Sequence, residues 1–196
     1  MSKKTISFQG LEGAYSDLVC RKFYKNYQTI PCETFQKTLN VVSEGNADLA
    51  LIPVENNIAG RVTDMHFLLE NVKLKIVAEH YHKIEHHLMT KKDQELRNIK
   101  KVYSHSHALS QCKNNIKKLN LKPITFMDTA GAAKFVKTNK DKESSAIASN
   151  LASKIYDLKV LHKNFEDKKN NVTRFLVFSK NSQDLKSRGK IITSIV

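Results

Sequence analysis

The sequence predicts an α/β protein built on mainly parallel β-sheet, and three observations carry that prediction. Short β-prone apolar runs alternate with segments of helical periodicity along almost the whole chain, the pattern of strands joined by helices. One run, Ala47 to Val54, is almost wholly apolar, as a strand covered on both faces must be. The chain has 196 residues, 40% of them hydrophobic, enough to bury a proper core as one domain or as two compact lobes.

Thr5 to Gln9 alternates and reads as a strand, Gly10 and Gly13 turn the chain, and Tyr15 to Tyr24 has the apolar period of a helix. Thr34 to Glu44 continues as a helix that Gly45-Asn46 ends. After the strand Ala47 to Val54 comes a polar loop, Glu55 to Gly60, and then a helix from about Val62 to Glu70. Further strands are expected at Leu74 to His80, His86 to Met89, Lys101 to Ser104, Pro123 to Met127, Ser145 to Ala148 and Arg174 to Ser179. Helices are expected at Ala108 to Lys118, Thr129 to Val136 and Asn150 to Tyr156. No Pro/Gly/Ser-rich linker interrupts the pattern, so any lobe boundary falls inside continuous structure.

Composition removes several function classes. No apolar run approaches the roughly 20 residues that span a bilayer, and Met1 to Lys4 lead into a strand without the apolar region of a signal peptide. A cytoplasmic protein without a membrane partner is expected. Cys20, Cys32 and Cys112 are far apart and form no Cys-x-x-Cys pair, so they read as free thiols. The net charge is +14, but of 33 basic residues only five are arginines, Arg21, Arg61, Arg97, Arg174 and Arg188, leaving 28 lysines spread along the chain. Base readers depend on arginine, so the charge reads as a solvated surface that attracts a small anion, with no nucleic acid as partner. His80, His82, His86 and His87 cluster without the spacing that completes a metal site, and no metal is expected.

Ligands of open α/β sheets bind beyond the carboxyl ends of strands. Four polar clusters follow apolar runs: Gly10 to Ser16, Glu55-Asn56-Asn57, Ser104 to Gln111, and Asn171 to Arg174. Gly10-x-x-Gly13 is either a tight turn or an anion cradle. It lacks the third glycine of a dinucleotide fingerprint and the Gly-Lys-Thr of a phosphate loop, which excludes NAD and ATP.

Together these clusters resemble those of prephenate dehydratases. Val54-Glu55-Asn56-Asn57-Ile58-Ala59-Gly60-Arg61-Val62 with Leu68-Leu69 is similar to their Glu-Asn-Ser-x-x-Gly-x-Val…Leu-Leu motif. Tyr103-Ser104-His105 ending in Gln111-Cys112 resembles their Ser-His-Pro…Gln-Cys segment, and Asn171-Val172-Thr173-Arg174-Phe175 their Asn-x-Thr-Arg-Phe signature. Gly10-Leu-Glu-Gly13-Ala-Tyr15-Ser16 and Thr129-Ala130-Gly131 fit as well, so the likeness runs from about residue 5 to 180. Asn57 departs from the usual Ser, and Ser106-His107 from the usual Pro-Gln.

The resemblance implies two α/β lobes similar to a type II periplasmic binding protein, the active site lying in the cleft between them. The chain would cross near Ile76 to His80 and again near Leu161 to Phe165. Lobe 1 would then hold residues 1–78 and 166–180, and lobe 2 residues 79–165. It further implies loss of water and carbon dioxide from prephenate to give phenylpyruvate, with no cofactor, since aromatisation drives the reaction. Thr173 is expected to donate to the leaving hydroxyl, or Glu55 does if burial raises its pKa. Asn56, Asn57, Ser104 and Gln111 would bind substrate, with Gly13, Tyr15, Ser16, Thr129 and Ala130 lining the site. Arg174 either meets a substrate carboxylate or, facing away from Thr173 on a strand, pairs with an acid such as Asp167. Arogenate, with an amine for the keto group, is the alternative substrate, and a non-catalytic solute-binding module the alternative class. A homodimer is expected. Residues 181–196 read as a polar linker and the first strand of an ACT-like regulatory domain whose remainder is missing, so control by phenylalanine through such a domain is not expected.

Overall fold

The computed structural model describes residues 3–62, 68 and 72–181. The expected helix at 62–70 falls mostly outside the described residues, as does the segment from 182 to 196. The first sheet contains β1 (Thr5–Gln9), β2 (Gln28–Cys32), β3 (Leu49–Asn56), β4 (Gly60–Arg61), β5 (Lys75–Lys83) and β11 (Val172–Ser179). Its order is β2-β1-β3-β11-β5, with β4 paired on β3. The second contains β6 (His87–Thr90), β7 (Lys101–Ser104), β8 (Lys122–Thr125), β9 (Ser144–Ala148) and β10 (Lys159–His162), in the order β10-β6-β9-β7-β8.

Alternation along the central strands explains how each sheet is covered. Leu49, Leu51, Phe175 and Val177 share a face with Ile6 and Phe8 under helix α1 (Tyr15–Phe23), which contributes Val19 and Cys20. Their neighbours Ala50, Ile52, Leu176 and Phe178 point the other way onto α2 (Phe35–Ser43), meeting Leu39 and Val42. Each fully buried side chain of this kind contributes about 1.5–3 kcal/mol of transfer free energy. In the second sheet Leu88 and Ile147 face α3 (Ser106–Gln111) and α4 (Lys113–Lys118). Met89, Ala146 and Ala148 face α5 (Thr129–Thr138) and α6 (Asn150–Ile155).

The sheets are mixed where mainly parallel sheets were expected. β1 runs parallel to β2 and β3, and β7 to β8 and β9, through helical crossovers. β11 runs antiparallel to both β3 and β5, and β6 to both β9 and β10, because the chain that leaves one lobe must return to it. β5 stays paired with β11 as far as Lys83, so the first passage lies at Ile84–His86, later than the expected Ile76 to His80. The histidines at 80 and 82 had broken the apolar pattern and hidden the end of that strand.

Other elements differ in detail. The single helix expected at Ala108 to Lys118 is two, broken at Cys112, whose φ −113° and ψ 12° are not helical. The Asp167 carboxylate accepts from the N–H groups of Asn114 and Asn115 and gives α4 a separate start. β2 and β10 were not foreseen. β2 contains Pro31, tolerated because β2 is an edge strand.

The two connecting segments run side by side, Ile84 N–H donating to the Asn171 carbonyl at 2.8 Å and Phe165 N–H to the His86 carbonyl at 2.7 Å. The lobes also touch through Gly13, whose carbonyl accepts from Ser149 Oγ at 2.6 Å, and through Tyr156 Oη, which donates to the Glu12 carbonyl. Gly13 has φ +89°, and a Cβ there would sit 2.8 Å from the Ala152 Cα. Only a residue without a side chain allows this approach. Gly13→Ala is expected to lower the unfolding free energy by about 1–3 kcal/mol, read as a shift of the urea midpoint, and an unchanged midpoint would contradict this contact.

Candidate active site

Because β3 and β11 are antiparallel neighbours, Asn56 stands opposite Thr173 and Glu55 opposite Arg174. Directly opposed residues share a face, and successive residues alternate. Asn56 and Thr173 therefore lie on one side of the sheet, Glu55 and Arg174 on the other. The Asn56 carboxamide is oriented by backbone: its Oδ1 accepts the N–H groups of Ile58 and Ala59 at 3.0 and 2.8 Å. Its Nδ2 must then face inward, where it donates to Thr173 Oγ1 at 2.8 Å and to Asn171 Oδ1 at 2.7 Å. With Oγ1 held as an acceptor, the Thr173 hydroxyl keeps its own proton to give.

The polarity set at Ile58 and Ala59 propagates. Asn171 uses Oδ1 toward Asn56, so its Nδ2 donates onward to Gln111 Oε1 at 2.8 Å. That same oxygen lies 2.7 Å from His86 Nε2. An amide oxygen only accepts, so Nε2 carries a proton, and in the neutral ring Nδ1 is then an acceptor. Tyr15 Oη stands 2.6 Å from Nδ1. Thr173, Asn56, Asn171, Gln111, His86 and Tyr15 thus form one hydrogen-bonded chain from the first lobe through the connecting segments to α3 and back to α1, its donations converging from both ends on Gln111 Oε1. His86 and Asn171 are 2% and 0% exposed. Burial holds the His86 imidazole below its usual pKa, against the opposing pull of the Gln111 hydrogen bond and of Glu166. Burial likewise raises the Tyr15 phenol well above its usual value.

Several expected residues have other engagements. Glu55 is exposed and faces away from Thr173, so the burial that would make it a proton donor is missing. Arg174 Nε bonds Glu79 Oε1 at 2.5 Å, on the neighbouring strand, while Asp167, its expected partner, starts α4. Asn57 clamps the loop, donating to the Asn170 carbonyl and accepting Val172 N–H. Ser104 is fully buried and donates to the Ile147 carbonyl at 2.6 Å. Gly13 N–H donates to Asp17 Oδ2, so the turn does not offer that group to an anion. Ser16, buried, lies in the first turn of α1. Thr129 and Ala130 open α5, where Asp128 Oδ1 accepts Gly131 N–H.

The histidines near the hinge go to separate places. His80 stacks on Phe23 and meets Tyr24 Oη at 3.0 Å, and His87 Nδ1 accepts Asn164 N–H. Among the described residues no group of three or more His, Cys, Asp or Glu is arranged to hold a metal. A cavity of about 330 Å³ opens beside Tyr15, Lys22, His82, His87 and Asn150, between α1 and the second lobe. A larger one, about 580 Å³, lies against α3, α4 and β8, and none of its lining residues belongs to the hydrogen-bonded chain. The sequence reading missed His86 and Asn171 as site residues. Asn171 stood in the quoted signature, and His86 stood in the histidine cluster, where metal spacing was the only property weighed.

A two-lobed α/β fold with a buried amide, hydroxyl and imidazole chain at its hinge defines a small-molecule binding or catalytic domain. Residues 6–183 match the family model for prephenate dehydratase, and the chain belongs to that family. It is 40% identical over 187 residues to a bifunctional N-acyl-homoserine lactone acylase/prephenate dehydratase of Komagataeibacter europaeus, covering 95% of this chain and 66% of that protein. It is 37% identical to arogenate dehydratase 2 of Petunia hybrida, covering 91% of this chain and 45% of that one. The prephenate dehydratase of Arthrobacter aurescens, solved in complex with L-Phe, superposes with a TM-score of 0.85 at 26% identity, over 91% of this chain and 61% of that one. The chain thus spans from under half to about two thirds of the length of the relatives it matches.

Burial also lowers the pKa of His80, His82, His87 and His105. A histidine with a depressed folded pKa binds fewer protons than in the unfolded chain, so stability falls as pH drops through the unfolded value near 6.5. Carboxylates shifted downward, such as Glu85 and Asp157, stay ionised above about pH 5 and add nothing in that window. The urea midpoint is expected to fall between pH 7.5 and 5.5, and a flat profile there would mean these histidines protonate freely in the fold.

Proposed function

We propose that this chain catalyses the decarboxylative dehydration of prephenate to phenylpyruvate. The observation that supports this most directly is the Thr173 hydroxyl, buried and held as an acceptor by Asn56, with its proton left to give. In the reaction the ring carboxylate leaves as carbon dioxide, the released electron pair completes the aromatic ring, and the C–O bond to the ring hydroxyl breaks. Hydroxide would be a poor leaving group, so a donor must meet it as the bond lengthens. Thr173 is too weak an acid to give up its proton outright. It acts as a positioned hydrogen-bond donor while the net proton reaches the departing water from solvent. Gln111, whose Oε1 is taken by Asn171 and His86, offers its NH₂ group to the substrate as a neutral contact. Neutral partners orient a carboxylate without trapping it as an ion pair. The lysine-rich surface favours arrival of a dianion. Within this reading the protein is a cytoplasmic homodimer, as the sequence and the family resemblance led us to expect.

Arogenate is the second substrate this reading admits, since the Petunia relative is named an arogenate dehydratase. The two differ at the side chain that carries the keto or amino group, away from the leaving hydroxyl, so Thr173 serves either. Purified protein incubated with each should form phenylpyruvate from prephenate, or phenylalanine from arogenate. Turnover of neither would refute the reading, and the same preparation offered an N-acyl-homoserine lactone tests the other activity in the Komagataeibacter relative's name. Thr173→Ala is expected to remain folded and to lose roughly 10²- to 10⁴-fold in kcat. Near-normal kcat would remove Thr173 from the chemistry.

A further inference from the structure

We propose that His86, as the neutral tautomer protonated on Nε2, is a positioning residue that ties α1 of the first lobe to α3 of the second and, through Gln111, Asn171 and Asn56, aims the Thr173 hydroxyl. The inference deepens the dehydratase reading and rests on it for its catalytic half only. His86 sits in the first passage between the lobes and meets both: Tyr15 Oη at Nδ1 and Gln111 Oε1 at Nε2. Its backbone is pinned as well, its N–H donating to Glu166 Oε2 at 2.8 Å and its carbonyl accepting Phe165 N–H. With both ring nitrogens and both backbone groups engaged, a half-turn of the ring would put a carbon where each nitrogen now meets its partner.

The tautomer matters because Gln111 has one oxygen and two donors call on it. If His86 carried its proton on Nδ1 instead, Nε2 would present a lone pair to Gln111 Oε1 across 2.7 Å. Gln111 would then turn its NH₂ group toward the ring, and that group would also meet the Asn171 NH₂ group, donor against donor. Asn171 would have to flip in turn and present a donor to Asn56 Nδ2, which the backbone N–H groups of Ile58 and Ala59 hold in its present sense. The chain tolerates one polarity only. Titratable neighbours are Tyr15 on α1, Glu85 and His87 in the same segment, Glu166 on the return passage and Cys112 at the end of α3. Tyr15 Oη also reaches the Glu85 carbonyl at 3.2 Å, an alternative acceptor that the hydroxyl forgoes while Nδ1 is unprotonated.

Two variants separate the two ends of the ring. Glutamine extends an amide nitrogen toward the place of Nε2 and can keep the donation to Gln111; asparagine extends an oxygen toward the place of Nδ1 and keeps only Tyr15. His86→Asn is expected to lose on the order of 10- to 100-fold in kcat with little change in KM, the cost of a misaimed donor, and His86→Gln should recover most of that loss. A merely structural role would make the two variants equal. Long-range hydrogen–nitrogen spectra of labelled wild-type protein, with the His86 signals assigned by their loss in His86→Gln, should show a neutral ring protonated on Nε2 at pH 7.5. An Nδ1-protonated or cationic ring, or His86→Asn at least as active as His86→Gln, would overturn the proposal. The tautomer is read without substrate, so a protein that turned over neither prephenate nor arogenate would defeat the dehydratase reading and still leave the tautomer to decide this one.

Discussion

Two backbone N–H groups, those of Ile58 and Ala59, decide which way the Asn56 carboxamide faces, and the rest of the site inherits that choice. Once Oδ1 is committed to the loop, Nδ2 has to serve Thr173 and Asn171 together, and each later link has one permitted sense. A buried donor left unmatched costs about 1–3 kcal/mol, so a reversal anywhere along the chain meets a penalty that is a substantial fraction of the roughly 5–15 kcal/mol of a whole domain. The site is in that respect organised by backbone geometry, and its side chains transmit an orientation they did not originate.

The fold supplies what this chain of hydrogen bonds requires. β11 lies between β3 and β5 and begins where the second passage between the lobes ends, so Thr173 sits at the hinge with Asn56 on one side and His82 on the other. The break at Cys112 lets α3 end on Gln111, whose carbonyl accepts Asp167 N–H while Asp167 begins α4. That arrangement fixes Gln111 against the return passage from both backbone and side chain. Closure at the other end depends on Gly13, where absence of a side chain lets the first-lobe turn reach α6.

Much of this was legible in the sequence, for reasons that can be named. Strand and helix alternation is a property of periodicity, and it located β1, β3, β7, β9 and β11 because each has a clear apolar run. Motif order pointed to Asn56, Gln111 and Thr173, which the fold joins in one chain. The misses follow from what periodicity does not encode. β2 and β10 are edge strands with mixed burial, and β5 ends in histidines that break its pattern. Glu55 was a proton donor on condition of burial, and the observed strand turns it outward by simple alternation. Arg174 was left between a substrate carboxylate and an acid such as Asp167; it faces away from Thr173 and bonds Glu79, brought near by a pairing between β11 and β5 that no local pattern announces. His86 was read for metal spacing, whereas its position depends on partners 71 and 25 residues away.

The central claim is that Tyr15, His86, Gln111, Asn171, Asn56 and Thr173 behave as one unit although the end members do not touch. A double-mutant cycle of Tyr15→Phe and Asn56→Ala, read as unfolding free energy in urea, tests this most directly. Members of one hydrogen-bonded network are expected to couple by about 0.5–3 kcal/mol, so the double variant should differ from the sum of the single ones by that amount. Additivity to within about 0.3–0.5 kcal/mol, the behaviour of independent sites, would contradict the account.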